Sequence, residues 1–306
     1  MRFIFRIAII SVFCAVAADA RSPINLDILR RDGYGVVPLQ RARGNDLLVR
    51  ATINGRAASL LLDSGWGSEG ITLHTNYAGK LITEETKDYT LSAFGARMSV
   101  RKGPSGLITL GNAHIKDVPL FVGTFDQTLG ANGFLGAGFL RTNSAIIDVP
   151  DFRLYLRPPR TGRMASLGAA LKAKGFSEVS FTGRTHGVFL VSVEINGLHG
   201  KMVLDTGASL TGVDKRFAAR LKAKGYDMGL VGTDAAGITS GHPVANLGRF
   251  KIGGVPAHAP EVTLNTFPFY SASDGTIIGL LGMDVLGKNW SIIDFGQQKL
   301  YFSPIR

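Results

Sequence analysis

Apolar residues in this chain recur mostly with a period of two. "LLVRATING" (47–55) alternates and closes on Asn54-Gly55, a dipeptide that favours a two-residue hairpin turn. "RAASLLLD" (56–63) follows, and its unbroken apolar end predicts a strand buried on both faces. "GITLHT" (70–75) is β-branched and predicts another strand. "FLGAGFL" (134–140) contains a short helical turn, "SAIIDV" (144–149) a strand, and "LYL" (154–156) ends a last one. Long helical periodicities are scarce, so the expected class is all-β.

The pattern is written twice. Residues 33–71 align without a gap on 175–213 at an offset of 142: "ING" meets "ING", Leu62-Asp63 meets Leu204-Asp205, and Gly65 and Gly70 meet Gly207 and Gly212. "LGNAHIKDVP" (110–119) parallels "LGRFKIGGVP" (247–256), and residues 133–156 parallel 279–302 at an offset of 146. A repeat of this length predicts two homologous lobes. The expected organisation is a leader at 1–20, an N-terminal β-lobe at 21–156, a linker with a short helix at 157–174, and a C-terminal β-lobe at 175–306.

The leader is "MRFIFRIAIISVFCAVAADA": a positive start at Arg2 and Arg6, a short apolar stretch, and Ala18-Asp19-Ala20 as a cleavage site. It reads as a secretory signal, too short for a membrane span, and predicts an exported, periplasmic or secreted protein. Its Cys14 is the only cysteine, so no disulfide framework or thiolate chemistry is expected of the remainder. The net charge of +11 becomes 32 − 22 = +10 without the leader. Its basic residues are scattered and do not interleave with aromatics, so nucleic acid is not an expected partner. The histidines (74, 114, 186, 199, 242, 258) have no metal-ligand spacing, and surface or loop positions are expected for them. Neither a metal nor a cofactor is expected.

The glycines of "LLLDSGWGSEG" (60–70) spell G-x-G-x-x-G, which would suit a dinucleotide-binding turn if a helix began there. The following strand pattern argues against that. So does the second copy, "MVLDTGASLTG" (202–212), which lacks the middle glycine. What repeats is an aspartate after an apolar strand, then a hydroxyl residue, then glycine: Asp63-Ser64-Gly65 and Asp205-Thr206-Gly207. Related by a pseudo-twofold axis, two such aspartates would meet and share one proton. One could then take a proton from water while the other donates to a carbonyl oxygen. Asp148 and Asp294 are also in register and are expected to support strand ends or turns.

With Phe134-Leu135-Gly136 and Leu280-Leu281-Gly282 as a second motif pair, the chain resembles the pepsin and retropepsin superfamily of aspartic proteases over residues 33–302. The resemblance implies a bilobal fold with a cleft between the lobes, a monomer, a peptide or protein substrate, and Asp63 and Asp205 as the catalytic pair. It implies that Ser64, Gly65, Thr206 and Gly207 support them. It also places flap hairpins at 92–100 and 235–244, with Phe94, Gly95, Ala236 and Gly237 near their tips. Ala208 is the small residue usual after the motif, whereas Trp66 stands at that place in the first lobe and is expected to narrow or block the cleft. A binding protein of weak or no catalytic activity is the alternative.

Overall fold

The computed structural model describes residues 23–24, 26–79, 88–91, 97–127, 130–157, 159, 167–183, 187–221, 225–226, 231–241, 243–258, 261–267 and 275–303. The leader, Phe94 and Gly95, His186 and His242, and residues 158 and 160–166 of the linker lie outside them.

Each lobe is built on the expected hairpin. Leu47–Ile53 pairs antiparallel with Arg56–Asp63, and Phe189–Ile195 with Leu198–Leu204. The connecting residues have positive φ at both positions, Asn54 (50°) with Gly55 (81°) and Asn196 (50°) with Gly197 (84°). That is the two-residue turn whose twist matches the strands it joins. Leu60, Leu61 and Leu62, like Met202, Val203 and Leu204, are almost wholly buried. Gly133–Gly136 lies parallel to the end of the first aspartate strand, and Ile277–Leu281 to the end of the second. A strand flanked on both sides cannot splay, so each aspartate emerges at a fixed place.

A six-stranded antiparallel sheet joins the lobes. Its order is Gly35–Arg41, Arg153–Leu156, Ile146–Asp148, Ile292–Asp294, Lys299–Phe302, Ser177–Gly183. At its centre Ile147 pairs with Ile293, its own repeat equivalent, so the pseudo-twofold axis passes between them. Backbone irregularities repeat as well: Ser144 with Trp290 and Phe152 with Gln298 are positive-φ pairs at the same offset of 146. The linker helix, Gly168–Ala173, buries Leu171 against Tyr34, Tyr155, Phe176 and Tyr301 beneath this sheet.

The expected turn role of the second aspartate pair is visible. Asp148 Oδ1 accepts from the Asp151 N–H (3.2 Å) and Asp294 Oδ1 from the Gln297 N–H (2.9 Å). His74 corrects the expectation of a surface or loop position: it is 3% exposed, at the end of strand Ile71–His74. There its Nδ1 accepts from the Asn76 N–H and starts the following helical turn. The alternating pattern placed it on a strand, and the tertiary structure buried it edge-on to Phe125.

Candidate active site

The two repeated aspartates end equivalent strands and come together. Each is fixed first by its own loop: Asp63 Oδ1 accepts from the Gly65 N–H and Asp205 Oδ1 from the Gly207 N–H, both at 2.9 Å. The loops are then tied reciprocally across the axis. Ser64 N–H donates to Thr206 Oγ1 (3.0 Å), whose hydroxyl donates to the Leu62 carbonyl (2.8 Å). Thr206 N–H donates to Ser64 Oγ (3.0 Å), whose hydroxyl donates to the Leu204 carbonyl (2.7 Å). Ser64 and Thr206 are fully buried, so these four bonds are shielded from competing water.

Glycine is required beside both carboxyls. A Cβ on Gly65 would stand 2.5 Å from the Asp205 carboxyl carbon, and one on Gly207 2.4 Å from that of Asp63. Each lobe therefore lends its glycine as the floor on which the other lobe's aspartate rests.

The two carboxyls hydrogen-bond to each other. Burial pushes Asp63 well above the ordinary carboxyl range, and the neighbouring charge of Asp205 pushes it further. Burial raises Asp205 to about 6, opposed by the Gly207 N–H and by the bond from Asp63. A proton held between them therefore belongs chiefly to Asp63, and the pair can present one acid and one base at the same moment. Among the described residues no cluster of three or more His, Cys, Asp or Glu could hold a metal ion.

Trp66 corrects the expectation that its indole lies in the cleft. It is 7% exposed, stacks on Phe134 with ring centroids 4.7 Å apart, and donates from Nε1 to Thr72 Oγ1 (2.8 Å). With Leu61, Met98, Val100 and Phe125 it forms a small apolar cluster of the first lobe. Its counterpart Ala208 is half-buried and packs on a second cluster around Leu190, Val203 and Leu280. Of the expected flap residues, Ala236 and Gly237 lie in the turn between strands Val231–Thr233 and Thr239–Gly241. Phe94 and Gly95 fall outside the described residues, between strands Asp88–Leu91 and Arg97–Lys102.

Two further residues belong to the site that sequence reasoning missed. Asp46, 8% exposed, accepts from Ser209 Oγ (2.8 Å) across the lobe boundary, and its charge adds to the upward push on Asp205. The repeat hides this contact, because Asp46 and Ser209 align with Val188 and Gly67. At that symmetry-related place Gly187 packs against the Gly67 backbone instead.

Residues 191–285, the greater part of the second lobe with Asp205 inside it, match the family model described as aspartyl protease. Among solved structures the chain is similar to the aspartic proteinase from Irpex lacteus: 15% identity, 89% of this chain and 97% of that one covered, TM-score 0.49. No curated protein matches the sequence. The family match lies on the second lobe, and the first lobe repeats its hairpin, aspartate loop and flanking strand, so in both halves the chain is similar to aspartic proteases.

Proposed function

We propose that the protein is an aspartic endopeptidase that hydrolyses peptide bonds with a water activated between Asp63 and Asp205. The observation that carries this reading is the meeting of the two carboxyls. Asp205 is buried and Asp63 half-buried, Asp63 is pushed well above the ordinary range, and a reciprocal set of bonds holds their loops against each other. In the proposed reaction Asp205 takes a proton from the attacking water. Asp63 gives its proton to the oxygen of the scissile carbonyl, and no covalent enzyme intermediate forms. The proton that Asp205 has gained then goes to the departing amine as the C–N bond breaks, and a hydroxyl of the tetrahedral intermediate returns a proton to Asp63, restoring the pair. The substrate is an extended peptide lying between the lobes, and one chain supplies both halves of the centre, as expected of a monomer. The leader sequence supports export to the periplasm or beyond. The alternative of a protein that only binds peptides drew on an indole in the cleft. The packing of Trp66 within the first lobe gives it no support.

The acid–base pair requires an ionised Asp205, so activity should rise as pH passes about 6 rather than peak in strong acid. The test is cleavage of a random peptide pool from acidic to neutral pH by wild type, Asp63→Asn and Asp205→Asn. Activity in wild type, lost in both variants, is the expected result. Equal cleavage by all three, or none by wild type at any pH, overturns the proposal.

A further inference from the structure

Positions 66 and 208 directly follow the two aspartate loops, and the backbone treats them alike. The N–H groups of Trp66 and Ala208 each hydrogen-bond the aspartate carboxyl of their own lobe. The Trp66 carbonyl accepts from the Ala137 N–H (2.9 Å) and the Ala208 carbonyl from the Met283 N–H (2.8 Å), a repeat-equivalent pair of donors. Only the side chains differ, an indole against a methyl. The surfaces beneath them correspond as well. Side chains alternate along a strand, so Leu61 shares a face with Asp63, and Val203 with Asp205. Leu60 and Leu62, like Met202 and Leu204, point into the main core instead. Phe134 pairs beside Leu61, and Leu280 beside Val203. Each lobe therefore turns one apolar wall to the side of its aspartate. On the first wall the indole lies against Phe134 and is pinned by its bond to Thr72. On the second, position 208 contributes a methyl group only, and Ala208 stays half-buried.

We infer that Trp66 determines specificity: it fills the first-lobe wall with the protein's own indole. The cleft then takes a small residue against the first lobe and a bulky apolar residue against the second, over Ala208. This rests on the protease reading and deepens it. Successive residues of an extended peptide point to opposite sides. With the scissile bond on the axis, the residue before it and the residue after it face different lobes. A bulky side chain seated against Phe134 would need the surface that Trp66 already covers. The indole cannot move away without stranding the hydroxyl of Thr72, which is fully buried. Over Ala208 a leucine or phenylalanine meets no indole, and its burial there removes apolar surface from water. The two lobes hold their aspartates alike and differ in what they admit beside them.

The test is cleavage of a random peptide pool by wild type, Trp66→Ala and Ala208→Trp, with the residues on both sides of every cut read by mass spectrometry. Wild type should cut between a small residue on one fixed side and a bulky apolar residue on the other. Trp66→Ala should raise kcat/KM for Leu and Phe on the small side, relative to Ala there, at least about tenfold, and leave the other side unchanged. Ala208→Trp should lower kcat/KM for Leu and Phe on that other side by a similar factor. A wild type that accepts bulky residues equally on both sides overturns the inference. So do two variants that change the same side, or a folded Trp66→Ala that cuts the same bonds as wild type. If Trp66→Ala does not fold, the side on which Ala208→Trp narrows the choice decides alone. If wild type cleaves no peptide at any pH, the protease reading fails instead, and indole added during urea unfolding decides the wall. A midpoint raised in Trp66→Ala and not in wild type shows a place for a substrate side chain there, and an unchanged midpoint refutes it.

Discussion

Asp294 offers a test of the fold that does not depend on activity. It lies at the centre of the interlobe sheet, fully buried. One oxygen accepts from the Gln297 N–H, while the other has no hydrogen-bond partner. Burial raises its pKa from 3.8 to about 7, against the opposing pull of the Gln297 and Gly296 N–H groups. In the unfolded chain the group returns to an ordinary value near 3.9. Below that pH both states are protonated and ionisation costs the fold nothing. As pH rises, the unfolded chain ionises first and gains free energy that the folded chain cannot match. Stability therefore falls between about pH 4 and pH 7 and levels off above. A shift of about 3 units at 1.36 kcal/mol each bounds the loss at about 4 kcal/mol.

Asp294→Asn removes the titration and keeps an oxygen for the Gln297 N–H. Urea unfolding of both proteins at pH 4, 5, 6, 7 and 8 gives the difference in stability at each point. The aspartate pair titrates in both proteins and cancels in that difference. Relative to wild type, the variant should gain about 4 kcal/mol on going from pH 4 to pH 8. A difference that stays constant across this range would show that Asp294 ionises normally in the folded protein, and the argument from burial would be refuted.

Thr206→Val keeps the shape but orphans the Leu62 carbonyl and the Ser64 N–H. At about 1–3 kcal/mol for each buried group, urea unfolding should show a loss of about 2–6 kcal/mol. A loss below about 0.5 kcal/mol would contradict the reciprocal bonding. Gly207→Ala places a methyl 2.4 Å from the Asp63 carboxyl carbon, and circular dichroism should show an intact fold while peptide cleavage falls at least a hundredfold, about 3 kcal/mol in transition-state terms. Wild-type cleavage by this variant would mean the carboxyls have room that the structure denies them. Trp66→Phe retains the stack on Phe134 but strands Thr72 Oγ1, which is buried, and should lower stability by about 1–3 kcal/mol. No loss would leave the bond from Nε1 without energetic weight.

The repeat made much of this legible, and it also marks where sequence stops. The hairpins, the aspartate strands and the flanking strands follow from alternation, Asn-Gly turns and register, all local properties. The bonds between Ser64 and Thr206 could be anticipated because identical loops meet at a symmetry axis. Asp46 with Ser209 could not: their repeat equivalents, Val188 and Gly67, carry a different side chain or none. That contact depends on how the lobes pack after they have formed.

Register alone does not separate a reacting pair from a structural one, because Asp148 and Asp294 are as well aligned as Asp63 and Asp205. Position relative to the axis does. In an antiparallel pair crossed by a twofold, only the residue on the axis meets its own equivalent, and here that residue is Ile147, opposite Ile293. Asp148 and Asp294 are one position off, so each faces an isoleucine, Ile292 and Ile146, and turns to cap its own β-turn. Asp63 and Asp205 leave their strands in loops whose glycines allow close approach from both sides, and the carboxyls meet. Had the two central strands slipped by two residues relative to each other, the sheet would have paired two buried carboxyls that lack the serine, threonine and glycine needed to hold them. The same axis therefore joins the aspartates that can share a proton and separates those that only terminate strands.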